Sequence, residues 1–300
     1  MAEYLALQAL NGLVIGLLYV LMATGLSLIF SVLKIVNFAH GELYMLGGFA
    51  SYYLTRLLGI NPFLAVSLSM LIVFLLGVII EFLLLHPIYT GAIERKDEYA
   101  ILMTFALSIF LQNLALMIFG PWTKNPSPFT SGTTTIGFLT TSNNRLIVAA
   151  LAIVLILALL VTINKTFVGK GLRAVSQDRD AASIVGINPH RMNLLAFGVG
   201  AALAGGAGAL IGPIFFVEPT MGTLPGIKCF VIIILGGMGS IKGSIIAGII
   251  LGEVESLGSV LLLDPTRGLA YKNAFGLLIL IIILLIKPTG LFGEKYVRME

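Results

Sequence analysis

A chain of 300 residues that is 58% hydrophobic and 11% charged lies well outside the composition of a soluble globular domain, so most of it belongs in lipid. A lone cysteine, Cys229, excludes an internal disulfide and a thiolate metal cluster. The formal net charge of +4 carries less information than its placement along the chain.

Apolar runs fall at about 5–30, 40–58, 62–86, 99–119, 146–164, 193–213, 226–236, 244–263 and 273–287. Most reach the roughly 20 residues that a helix needs to cross a bilayer, and they are continuous rather than alternating, which excludes a transmembrane β-barrel. The expected fold is all-α, a polytopic membrane helix bundle of 8–9 transmembrane segments in one transmembrane domain, 1–300. The first run follows a lone early charge, Glu3, instead of a positive n-region, so it reads as a retained span. The second run opens on Asn37-Phe38-Ala39-His40-Gly41-Glu42-Leu43, placed near the cytoplasmic interface. A half-helix there would aim backbone N–H groups at a pathway; capping and substrate contact both remain open for Asn37, His40 and Glu42. Late in the third run, Glu81 and His86 are a candidate buried pair. Gly120–Arg145, rich in Thr, Ser, Asn and Pro and carrying Trp122, reads as an outer loop with an interface anchor.

Lys165–Arg191 is different: charged and compatible with helix. Ser176 or Asp178 can cap a short helix there and Gly186 can end it, with Ala181, Ile184 and Val185 on one face and Arg179 and Asp180 elsewhere. That helix either packs on its own chain or meets a partner. Small residues recur every fourth position at Gly200, Ala204, Gly208 and Gly212, and again from Gly236 through Ser240, Ser244, Gly248 and Gly252 to Ser256, the pattern of closely packed membrane helices. The run at 226–236 is short and followed by glycines, so it is a half-helix, a re-entrant segment or part of a broken span. Glu218 and Lys228 read as solvent-exposed on an outer turn, and Glu253 and Glu255 fall on different faces of one helix. With the N-terminus outside, Lys and Arg divide twelve against six in favour of the side that holds Lys165–Arg191, which is therefore cytoplasmic. The twelve include Lys295 and Arg298, and the six include Lys228 and Arg267.

No phosphate loop, His-Glu-x-x-His pair or nucleophile–base pair occurs, so no catalytic residue and no metal ligand is nominated. A stand-alone secondary transporter would need intramembrane ion ligands, for which Glu81, Glu253 and Glu255 are the candidates.

Several segments together resemble the LivH-type permeases of branched-chain amino-acid ATP-binding-cassette importers. They are Asn11-Gly12 with the run to Gly25-Leu26-Ser27-Leu28-Ile29-Phe30, Val36-Asn37-Phe38-Ala39-His40-Gly41-Glu42-Leu43-Tyr44-Met45-Leu46-Gly47, Arg173–Ala182 with Gly186-Ile187, and Gly236-Gly237-Met238-Gly239-Ser240-Ile241-Lys242-Gly243. Permeases for urea, short amides and some sugars share parts of the set. The resemblance implies a multi-pass protein of the bacterial inner membrane, with no cofactor in this chain and no enzymatic activity. The implied partners are a second homologous permease, two ATP-binding subunits that hold the ATP, and an extracytoplasmic substrate-binding protein. It also implies that Asp178, Arg179, Asp180, Ala181, Ala182, Ile184 and Gly186 form the coupling helix, and that transport proceeds by alternating access.

Overall fold

The computed structural model describes residues 2–293 apart from 90, 92, 138 and 262–270, so Arg267, Lys295 and Arg298 lie outside the described residues. The helices are α1 (Ala2–Leu33), α2 (His40–Arg56), α3 (Pro62–Ile80), α4 (Lys96–Phe119), α5 (Asn143–Lys165), α6 (Phe167–Gln177), α7 (Arg179–Ile184), α8 (Pro189–Ile211), α9 (Thr223–Gly236), α10 (Ile241–Leu261) and α11 (Lys272–Ile286). A small antiparallel hairpin, β1 (Thr133–Ile136) with β2 (Leu139–Ser142), decorates the α4–α5 connection. Among the described residues six helices are long and apolar enough to cross a membrane, namely α1, α3, α4, α5, α8 and α10, while α9 and α11 are shorter apolar helices.

The centre is built from α1 and α8, each 78% buried over its most apolar window, whereas α3, α4 and α5 turn most of their surface outward. A helix apolar all round is what lipid-facing packing demands. The small-residue ladders explain the closeness of the central contacts. On α1, Gly12 faces Gly252 and Ser256, Gly16 faces Gly248 and Gly252, and Gly25 faces Gly200. On α2, Gly47 lies against Gly205, and Tyr44 lies against Gly208. In lipid such approach replaces hydrophobic driving force with packing. Changing Gly208 to alanine would push a methyl into the Tyr44 carbonyl. A loss of about 1–3 kcal/mol is expected, read as a lower melting temperature in detergent; an unchanged melt would contradict this packing.

The sequence of contacts fixes directions. α10 runs antiparallel to α1, since Gly12, Gly16 and Val20 meet Ser256, Gly252 and Gly248 in turn. α3 runs antiparallel to α8 in the same way, with Met70, Val73 and Phe74 meeting Gly206, Gly205 and Gly198. α1 and α8 are themselves antiparallel. Hence α1–α2–α3 and α8–α9–α10 are two units of the same order, a long central helix, a shorter helix and a long flanking helix, laid in opposite directions. This is the inverted repeat common in membrane transporters.

The second apolar run differs from expectation. α2 does not start at the cytoplasmic interface: residues 34–39 leave the end of α1 and double back until His40 sits beside Met22. Met22 is eleven residues short of the end of α1, about 16 Å along its axis. α2, 17 residues long, then runs to the outer side, where Arg56 Nε donates to the Asn125 carbonyl at 3.0 Å. Its counterpart α9, 14 residues long, begins where Gly222 and Gly226 touch Gly41, and ends beside Gly243 and the chain leaving α11. The run at 226–236 is thus a half-helix. The entry to α9 is anchored outside by Lys124 and Val217, which exchange N–H···O bonds of 2.8 Å each way.

Candidate functional site

The two half-helices put their N-termini against each other at mid-depth of the bundle, at Gly41 and Gly222. Neither has a side-chain N-cap. First-turn N–H groups of a helix have no partner within the helix, and their dipoles sum to a partial positive charge, so two such ends meeting inside a bundle form an anion-attracting point.

Each residue nominated around this point has a defined role. Asn37 is wholly buried; its Oδ1 accepts from Ala39 N at 3.0 Å, which shapes the turn into α2, while its Nδ2 has no partner. His40, also wholly buried, donates from Nε2 to the Met22 carbonyl at 3.0 Å and so ties α2 to the middle of α1. Glu42, 4% exposed, receives a bond on Oε1 from Ser108 Oγ at 3.3 Å, and its Oε2 has no partner. Asn37, Glu42 and the Nδ1 of His40 therefore keep polar atoms in reserve at the junction, while the Nε2 of His40 is occupied by the fold.

α4 supplies residues that sequence reasoning missed. One turn beyond Ser108, Gln112 Nε2 donates to Thr223 Oγ1 at 3.3 Å. Ser108 and Gln112 thus form a stripe at helical spacing that touches the start of α2 and then the start of α9. Polar residues four apart in an otherwise apolar span were the available signal. Phe38 closes the inner edge of the stripe, with Phe230 at 5.0 Å and Phe105 at 6.4 Å between ring centroids.

The intramembrane glutamates part ways. Glu255, 1% exposed, is held by Lys228 Nζ at 2.7 Å, and Tyr19 bridges the two, accepting from Lys228 at 2.8 Å and donating to Glu255 at 3.3 Å. The expectation that Lys228 is exposed on an outer turn is corrected: α9 starts deeper than the sequence suggests, and its side chain is 13% exposed and paired. Glu81 and His86 do not pair, since neither carboxylate oxygen of the fully buried Glu81 has a partner. His86 instead packs against His190, with 4.0 Å between ring centroids.

On the side where α1 ends, the charged segment forms two helices rather than one. Thr166 caps α6, and Asp178 Oδ1 caps α7 by accepting from Asp180 N and Ala181 N at 2.9 and 3.0 Å. Gly186, at φ +87°, ends the turn in a conformation that favours glycine. Ala182 packs inward, and Arg179 reaches back over Tyr89, 4.3 Å from its ring centroid, and towards the Val32 carbonyl. Burial pushes the Tyr89 phenol up, which keeps it a neutral donor to the Leu33 carbonyl at 2.9 Å. Ile184 and Val185 are 86% and 75% exposed, and Phe167 is 88% exposed. The result is a pair of short helices fixed to the bundle by one face, with branched apolar side chains facing away from it.

The family described as "Branched-chain amino acid transport system / permease component" matches residues 8–285. The chain belongs to this family. It is 31% identical to the high-affinity branched-chain amino acid transport system permease protein LivH of Salmonella typhimurium, over 98% of this chain and 97% of LivH. It is equally 31% identical to the corresponding permease protein BraD of Pseudomonas aeruginosa, over 97% of this chain and 96% of BraD. To LivM of Salmonella typhimurium, another permease protein, it is 27% identical over 78% of this chain and 60% of LivM. A permease component of this family is a membrane-spanning subunit of an ATP-binding-cassette importer, located in the inner membrane, and not an enzyme. The all-helical membrane fold expected from the sequence is the one observed.

Proposed function

We propose that the chain carries leucine, isoleucine or valine across the inner membrane as one of two homologous permeases. Two ATP-binding subunits bind and hydrolyse the ATP on the cytoplasmic side, and an extracytoplasmic protein delivers the amino acid. The observation that carries the reading is similarity over nearly the whole chain to LivH and BraD. The weaker likeness to LivM supports a related permease as partner.

The pathway runs past the junction of α2 and α9, where Asn37 and Glu42 present unpartnered polar atoms, and His40 fixes the level at which α2 begins. Sparse polarity suits transit, because tight binding midway would slow release. α7 is the coupling helix: Asp178 and Gly186 set its ends, Arg179 and Ala182 hold it to the bundle, Asp180 and Ala181 supply the capped first-turn amides, and Ile184 is the contact offered to the motor. Closure of the two motors on ATP moves the coupling helices and reorients the spans in alternating access. A stand-alone, ion-driven transporter is less well supported, because Glu255, one of its candidate ligands, already has Lys228 as counter-ion.

Co-expression with the neighbouring genes and purification in mild detergent tests the assembly. Recovery of a second permease and two ATP-binding subunits with this chain is the expected result. Recovery of this chain alone, moving solute in vesicles without ATP, would overturn the proposal.

A further inference from the structure

The junction of the half-helices has a chemical polarity that the reading above does not use. On one side, Glu42 leaves Oε2 without a partner although the residue is only 4% exposed. On the other, α9 opens without a side-chain cap at Gly222; Thr223 N donates to the Thr220 carbonyl at 3.2 Å and Pro225 carries no N–H, so the amides of Gly222 and Leu224 are the donors that end offers. Asn37 Nδ2, wholly buried and without a partner, is a further unused donor in the turn that leads into α2. α4 spans the two sides, with Ser108 on Glu42 and, one turn further, Gln112 on Thr223. A carboxylate acceptor and a set of uncharged donors are thus touched by two α4 side chains that stand about one helical turn, roughly 5–6 Å, apart on their helix. Phe38, Phe105 and Phe230 group together beside them.

We infer that this junction grips the zwitterionic end of an α-amino acid in transit, the ammonium on Glu42 and the carboxylate on the opening amides of α9 with Gln112 and Thr223 beside them, leaving the aliphatic side chain to the three phenylalanines. The inference rests on the amino-acid reading above and names the atoms that would recognise the substrate. Helix N-termini receive a carboxylate without needing a buried cation, and a lone carboxylate receives an ammonium. The grip is shared between two half-helices of opposite direction. Any movement of α2 against α9 therefore separates the two halves of the site and releases the ligand, as alternating access requires.

The test uses the complete transporter, with its binding protein, in proteoliposomes. Glu42→Gln keeps the shape and removes the charge; its ATP-driven uptake of labelled leucine is expected to fall about tenfold or more, the usual weight of a hydrogen bond to a charged group. Glu42→Asp should recover most of that loss, which a purely structural role would not predict. In a Cys229→Ala background, Ser108→Cys reports on occupancy: a thiol reagent should label it, and saturating leucine during turnover should slow the labelling. Wild-type uptake by Glu42→Gln, or labelling indifferent to leucine, would overturn the inference. Failure of the unmodified transporter to move any branched-chain amino acid would instead overturn the functional reading beneath it.

Discussion

Replacing Lys228 with methionine is expected to destabilise the folded protein by about 3–5 kcal/mol, because it strands the Glu255 carboxylate in the bundle interior. The methionine fills much the same space, so lost packing contributes little. The charge remains, with the Tyr19 hydroxyl as its hydrogen-bond donor and Lys272 as the remaining nearby cation. A double change, Lys228→Met with Glu255→Gln, removes both charges and should restore most of the melting temperature in detergent. That sign separates a charge effect from a packing effect: equal damage from the single and double variants would mean the ion pair is not what holds α9 to α10 and α1. The pair fixes the depth of α9, and with it the position of Gly222 against Gly41.

Exchange of Ile184 for aspartate should leave folding intact and remove function. The side chain is 86% exposed and contributes nothing to the core, so the melting temperature is expected to stay within the range of surface changes, about 0.5 kcal/mol. A charge placed in an apolar contact with a motor subunit loses about 2–5 kcal/mol of association, enough to lower ATP-driven uptake more than tenfold. The same change at Val185, 75% exposed, should act in the same direction. Copurification of the ATP-binding subunits with the Ile184→Asp chain, undiminished, would place the docking contact elsewhere. Substitution of Ala182 is predicted to behave differently, lowering stability as well as uptake, since that residue is buried against the bundle.

The spans were legible in the sequence because lipid demands long apolar runs, and the close approaches at Gly200, Gly208, Gly248 and Gly252 were legible in the four-residue ladders of small residues, whereas those of Gly41 with Gly222 and Gly47 with Gly205 lie outside them. The Gly186 stop of the cytoplasmic segment was legible too, and its cap was narrowed to Ser176 or Asp178, since both signals act through contacts a few residues away. What the sequence concealed is depth. Hydropathy treats 40–58 as one more span, and nothing local says that residues 34–39 fold back so that His40 meets Met22, eighteen positions earlier. The pairing of Lys228 with Glu255 and Tyr19 was hidden for the same reason, as its partners lie 27 and 209 positions away. Reading the segment before α9 as an outer turn, when α9 opens against Gly41 inside the bundle, was enough to put a buried lysine in solvent. Ser108 and Gln112 were visible as polar residues, but they gained meaning only when two half-helix ends arrived beside them.

The most direct test of the central claim is uptake of labelled leucine into proteoliposomes holding this chain with its second permease and ATP-binding subunits, in the presence of the binding protein, with and without internal ATP. Accumulation that requires ATP, the binding protein and this chain together is the predicted result. Leucine entry that is indifferent to ATP, or its absence from a fully assembled and ATP-hydrolysing complex, would contradict it.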